Sequence, residues 1–122
     1  NEFILQNHLR ISTFSKFCKR WCKKYLKLPK SSYKILDVGC AAGALPKALS
    51  DSGYNAVGVE PSRFLCDYGK KTYNLDLRVG FLEDQNFSKN EFDVISMFDV
   101  IEHINRPEQV LDEIKRILKC PR

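Results

Sequence analysis

From residue 33 onward, short apolar runs alternate with stretches of helical periodicity, and this alternation constrains the fold more than any other feature. The predicted strands lie at 34–39, 54–60, 75–80 and 91–98. The predicted helices lie at about 43–52, at 62–73 and from 107 onward. Because alternating strands and helices build parallel sheets through right-handed crossovers, we expect an α/β fold with helices on both faces of the sheet.

Length and composition restrict the class of protein further. The chain has 122 residues, 43% of them hydrophobic and 29% charged, which suits one globular domain rather than a disordered chain. No apolar run approaches the roughly 18 residues that a membrane span needs, and no signal-peptide pattern begins the chain. Five cysteines without framework spacing favour reduced thiols, so we expect a cytoplasmic protein.

The net charge of +5 is unevenly distributed. Residues 1–34 hold nine Lys or Arg and one acid, whereas residues 35–122 hold eleven Lys or Arg and fourteen acids. We therefore divide the chain into a basic helical arm, residues 1–32, and a mildly acidic core, residues 33–122.

The arm contains an amphipathic helix. Its apolar side chains recur at helical spacing: Phe14, Phe17, Cys18, Trp21, Cys22 and Tyr25. The lysines on the other face could bind nucleic acid or an anionic membrane surface. We favour the alternative in which the aromatic stripe packs on the core and the lysines face water. Cys18 and Cys22 are expected as core thiols, because no second Cys/His pair with ligand spacing follows, and no metal site is predicted.

Two features at predicted strand ends indicate a nucleoside-containing ligand. A glycine-rich turn, 39–43, follows the first strand, and Glu60 closes the second strand about twenty residues later. Ligands bind at the carboxyl ends of such strands, where an acid commonly accepts hydrogen bonds from ribose hydroxyls. The dinucleotide fingerprint needs three glycines, but those positions hold Gly39, Ala41 and Ala44, so NAD or FAD fits poorly.

Several ordered motifs resemble those of class I S-adenosylmethionine-dependent methyltransferases. Asp37, Gly39 and Gly43 resemble the family's D-x-G-x-G-x-G motif, and 56–62 resembles its second motif. The segments 80–84, 91–95 and 98–107 continue the likeness, the last resembling the ubiquinone-biosynthesis branch. The resemblance covers residues 33–120 and implies a Rossmann-like, doubly wound parallel sheet with strand order 3-2-1-4.

The resemblance also implies a role for each matching residue. The glycine turn would pass beneath the methionine part of S-adenosyl-L-methionine, Asp37 would orient the turn or reach the ammonium group, and Glu60 would bind the ribose. Phe81 and Leu82 would flank the adenine, Glu83 or Asp84 would meet its amine, and Phe98 with Asp99 would close the methionine side. The complete set of expected cofactor-binding residues is Asp37, Gly39, Cys40, Ala41, Gly43, Glu60, Pro61, Phe81, Leu82, Glu83, Phe98 and Asp99.

The sequence departs from the family's pattern at three points. Ala41 replaces the central glycine, Phe81 stands where many members have an aspartate, and only four of the family's seven strands (order 3-2-1-4-5-7-6) are present. His103 is the candidate catalytic base, although a structural role at a helix start is favoured. Cys40 is expected to fill space rather than act as a nucleophile.

Two functions remain open on the sequence. The first is the cofactor-binding portion of a methyltransferase acting on a small-molecule acceptor, inactive as this fragment alone. The second is a non-catalytic nucleotide-binding or partner-binding domain that uses the basic arm, with nucleic acid as a less favoured partner. Further strands after residue 122 would support the enzyme, and a natural stop would support the binding module. We also expect the open edge of strand four either to self-associate into a homo-oligomer or to be covered by the arm's helix.

Overall fold

The computed structural model describes residues 2–98 and 104–120, and within the first helix the side chains of Thr13 and of residues 15–25. Four parallel strands form one sheet in the order β3-β2-β1-β4, which confirms the predicted fold class and strand order. The strands are β1 (Lys34–Val38), β2 (Asn55–Glu60), β3 (Asp76–Val79) and β4 (Val94–Ser96). The helices are α1 (Glu2–Tyr25), α2 (Ala44–Asp51), α3 (Arg63–Tyr73) and α4 (Pro107–Ile117). Short 3₁₀ turns span Lys30–Ser32 and Leu82–Gln85.

The two central strands are buried on both faces. In β1 the run from Ile35 to Val38 is buried, and in β2 the run from Ala56 to Val59 is buried. Such continuous apolar runs are typical of parallel strands that have helices on both sides. One core lies between the sheet and the pair α1 and α2, and another lies under α4 and the turn Leu82–Gln85.

The helix α3 packs closely against the turn that follows β1. Ser62 caps its start, because its Oγ accepts a hydrogen bond from the Leu65 amide at 3.3 Å. Gly69 allows the close approach: a Cβ atom there would lie 2.2 Å from the Ala42 carbonyl oxygen. Helix α3 therefore packs directly against the backbone of the glycine-rich turn at Ala42.

Strand β4 is shorter than the predicted 91–98, and its edge is not wholly open. Phe92 forms a parallel bridge with Leu118, in which the Phe92 amide donates to Ile117 (2.9 Å) and the Lys119 amide donates to Phe92 (2.8 Å). The edge of predicted strand four, which was expected to be open over 92–98, is therefore paired at Phe92. In the described part of the chain, Val94–Ser96 pairs with β1 alone.

The helix α1 packs on the core through one edge of the predicted apolar stripe, the edge that carries Cys18 and Cys22. Ser15, Cys18 and Cys22 are buried against the core, whereas Phe17 and Tyr25 are 59% and 56% exposed. The small thiol and hydroxyl side chains let α1 lie close to α2, and this arrangement leaves the rings of Phe17 and Tyr25 mostly exposed. Packing through the aromatic side chains was therefore the wrong expectation, although α1 does pack on the core. Among the described helices, none combines the length and hydrophobicity that a membrane span requires.

Candidate functional site

The turn after β1 has an unusual backbone conformation. Gly39, Ala41 and Gly43 all have positive φ angles, +74°, +51° and +93°. The amides of Gly39 and Cys40 both donate to the Val59 carbonyl, at 2.8 and 3.1 Å, which ties the turn to β2. Glycine adopts this left-handed region without strain, whereas alanine does so at a cost of about 1–2 kcal/mol. The chain thus reverses sharply at the carboxyl end of β1 before α2 begins.

Glu60 connects the end of β2 to this turn. Its Oε1 accepts a hydrogen bond from the Ala41 amide at 3.0 Å, and its Oε2 accepts one from the Ser62 amide at 2.8 Å. The side chain is half-buried. Because each carboxylate oxygen has two lone pairs, both oxygens can accept a further hydrogen bond from a ligand. The two backbone amides therefore hold the carboxylate in a defined orientation, and both of its oxygens can still accept a hydrogen bond from a ligand.

Asp37 lies buried beside the turn, near the end of β1. Ser96, the last residue of β4, donates a hydrogen bond from Oγ to Asp37 Oδ1 at 2.9 Å. Burial raises the pKa of Asp37 to about 7; the Ser96 hydrogen bond opposes this rise, and the charge of Glu60 adds to it. Sequence reasoning missed Ser96. The only signal for it is strand register, because Asp37 and Ser96 stand opposite each other in the β1–β4 pair.

Two residues of the turn face the protein interior. The Cys40 side chain is 2% exposed and packs with Cys66 and Leu77, and burial raises the pKa of its thiol. A protonated, buried thiol is a poor nucleophile, which supports a space-filling role. Gly43 is also constrained by packing, since a Cβ atom there would lie 2.7 Å from Leu75 Cδ1.

The residues after β3 divide between surface and core. Phe81 is 63% exposed, whereas Leu82 is 3% exposed and belongs to the core under α4. Glu83 is exposed, and Asp84 Oδ2 accepts a hydrogen bond from the Phe81 amide at 3.3 Å. Of the pair expected to flank an adenine, Phe81 is thus accessible from solvent, whereas Leu82 is buried in the core. Pro61, after β2, is also exposed.

The remaining expected site residues lie after β4. Phe98 is half-buried, and its ring stands edge-on to that of Phe17 with centroids 6.5 Å apart. Asp99 and the candidate base His103 fall outside the described residues. Over residues 2–98 and 104–120, no group of three or more His, Cys, Asp or Glu side chains is arranged to hold a metal ion.

Comparison with known proteins identifies the family. A family model described as a methyltransferase domain matches residues 8–122. The chain belongs to the methyltransferase-domain family. This methyltransferase domain is 32% identical to an uncharacterised methyltransferase of Schizosaccharomyces pombe, covering 80% of this chain and 41% of that protein. It is 31% identical to a ubiquinone biosynthesis O-methyltransferase of Actinobacillus pleuropneumoniae, covering 70% and 41%. The family that the motifs indicated is thereby confirmed.

Solved structures share the fold of this methyltransferase domain. The PH0226 protein of Pyrococcus horikoshii superimposes with a TM-score of 0.74 at 27% identity, covering 89% of this chain and 53% of that one. An S-adenosylmethionine-dependent methyltransferase of Archaeoglobus fulgidus superimposes with a TM-score of 0.67 at 16% identity, covering 86% and 48%. The chain spans about 41% of the length of the two curated relatives described above.

Proposed function

We propose that this methyltransferase domain binds S-adenosyl-L-methionine at the carboxyl ends of β1, β2 and β3, as the cofactor-binding portion of an enzyme that methylates a small-molecule acceptor. The observation that carries the proposal is the position of the Glu60 carboxylate. Two backbone amides hold it beside the glycine-rich turn, and each of its oxygens can accept one more hydrogen bond. A ribose with two adjacent hydroxyls is the natural donor to such a carboxylate.

Two further features fit this cofactor. The left-handed Gly39 lets the backbone turn away at the end of β1, which leaves room for a ligand to approach the chain closely. Phe81 offers an exposed aromatic face at the end of β3, suited to packing against an adenine ring. The residues present therefore fit the group that the family implies, with Cys40, Gly43 and Leu82 shaping the site from the interior and Pro61 and Glu83 at its surface.

The cofactor would supply a methyl group on a positively charged sulfur, which is already activated for transfer. The work left to the chain is to position the reactants and exclude water. Glu60 would orient the nucleoside, and the Asp37 carboxylate would attract the cationic end of the ligand. For an acceptor that must lose a proton, His103 stays our proposed base. The family resemblance assigns Phe98 and Asp99 to the methionine part of the cofactor, and this assignment also stays a proposal.

The location and the partners are also proposals. The composition and the family favour a cytoplasmic protein that acts on a small molecule rather than on nucleic acid. A second candidate function, in which the arm binds a partner, is favoured by the exposed basic side chains of α1. They include Lys16, Lys19, Arg20 and Lys23. A filter-binding assay with a short RNA across a salt series tests this second candidate, because electrostatic binding through these side chains would weaken steeply as salt rises.

Titration calorimetry with a panel of ligands tests the proposed function. S-adenosylmethionine and S-adenosylhomocysteine should bind with a stoichiometry of one, whereas NAD and ATP should bind far more weakly or not at all. NAD serves as the matched control, because it carries the same adenosine joined to a pyrophosphate. Preference for NAD or ATP would contradict the proposal.

A further inference from the structure

We propose that Ser96 is a positioning residue for Asp37. The Ser96 hydroxyl donates a hydrogen bond that orients the carboxylate at the end of β1 and stabilises its negative charge, which attracts a cationic ligand. The inference rests on the proposed function, because it assigns Asp37 to the cationic part of the cofactor. It adds a residue from β4 to a site whose other polar groups come from β1 and β2.

The geometry places the hydroxyl in direct contact with the carboxylate. Ser96 and Asp37 are 8% and 6% exposed, and they face each other across the β1–β4 pair. Ser96 Oγ lies 2.9 Å from Asp37 Oδ1 and 3.4 Å from the Leu36 carbonyl oxygen. A hydroxyl has a single proton to donate, so the shorter contact, to the carboxylate, takes it.

Among the described residues, Ser96 is the one group that stabilises the negative charge of Asp37. Glu60 faces it from β2 with a like charge, and the thiols of Cys40 and Cys18 approach it from the turn and from α1. Burial and Glu60 raise the pKa of Asp37, and the Ser96 hydrogen bond alone lowers it. The hydroxyl therefore opposes the effect of burial and increases the fraction of the carboxylate that is ionised near neutral pH.

A pH series of binding measurements tests the inference. In the parent chain, affinity for S-adenosylhomocysteine should rise as the pH passes through about 7, where Asp37 ionises. Ser96→Ala removes a hydrogen bond to a charged group, so it should move the midpoint up by about one pH unit and weaken binding about fivefold at pH 7. Ser96→Thr keeps the hydroxyl and should retain the parent midpoint. Ser52→Ala, which removes a hydroxyl that donates to Ala48 at the end of α2, should change neither quantity.

Two outcomes would overturn the inference. A loss of affinity that is equal at every pH would mean that Ser96 serves packing only. The titration midpoint of Asp37 can be measured in the ligand-free protein from the ¹³C resonance of its carboxyl carbon. An unchanged midpoint in Ser96→Ala would mean that the hydroxyl does not control the charge of Asp37. The second measurement needs no ligand, so it decides the role of Ser96 even if the parent binds no S-adenosylhomocysteine and the proposed function fails. Ser96→Cys, with a weak donor of similar size, replaces the alanine variant if the latter does not fold.

Discussion

Glu60 Oε1 accepts a hydrogen bond from the Ala41 amide at 3.0 Å, and this bond joins the carboxyl end of β2 to the turn that follows β1. The backbone at Ala41 is left-handed, with a φ of +51°. An alanine at this position is strained, yet its amide points at the carboxylate. Strain of this kind is often stored where a site must hold a fixed geometry.

Replacing Ala41 by glycine should relieve this strain. Ala41→Gly should raise the free energy of unfolding by up to about 1 kcal/mol, the cost of left-handed alanine less the extra flexibility of the unfolded glycine chain. Denaturant unfolding measures the change. As a control, Ala48→Gly in the interior of α2 should lower stability by about 0.5–1 kcal/mol, because helical glycine is unfavourable. Destabilisation by both substitutions would contradict the strained conformation at Ala41.

The sheet could be predicted because its two central strands are short, mostly apolar segments and because turn and cap residues, such as Ser62, separate the strands from the helices. The contact between Asp37 and Ser96 could not, because it depends on the register of two strands that lie 59 residues apart in the chain. The packing face of α1 was missed for a different reason. Helical periodicity groups Phe17 with Cys18 as one apolar stripe and does not reveal which edge of that stripe approaches α2.

Burial of Asp37 should make stability depend on pH. The folded protein holds the Asp37 proton up to about pH 7, whereas the ordinary pKa of the group is 3.8, so unfolding releases a proton between these values. The free energy of unfolding should therefore fall as pH rises from 4 to 7, by an amount on the order of 4 kcal/mol, and then level off. Asp37→Asn should remove this dependence, as urea unfolding across the pH range would show.

An exposed acid provides the control for this pH series. Asp51→Asn removes a carboxylate that pairs with Lys47 on the surface of α2, and the variant should keep the parent's dependence on pH. If Asp37→Asn and Asp51→Asn behaved alike, the pH dependence could not be assigned to the buried group.

The β4 edge should promote self-association of this chain. Val94–Ser96 pairs with β1 on one side, and in the described residues the neighbouring bridge reaches only Phe92. Unpaired strand edges bind other strands, so light scattering after size-exclusion should show a mass that grows with concentration. Val94→Pro removes the amide that faces away from β1 and should lower that mass.

A surface substitution distinguishes pairing at the strand edge from non-specific hydrophobic association. Leu111 is 48% exposed on α4, and Leu111→Ser removes this apolar side chain without touching the edge. Association that disappears in Leu111→Ser but persists in Val94→Pro would contradict the edge as the site of contact. A clean monomer at all concentrations would contradict self-association itself.

The affinity of Glu60 variants for S-adenosylhomocysteine tests the central claim most directly. Titration calorimetry should show that Glu60→Ala binds roughly ten- to a hundredfold more weakly than the parent, because charge-assisted hydrogen bonds contribute about 1.5–3 kcal/mol. Glu108→Ala, an exposed acid in the first turn of α4, should bind like the parent. Equal affinity of the parent and Glu60→Ala would contradict the assignment of Glu60 to the nucleoside and, with it, the proposed cofactor site.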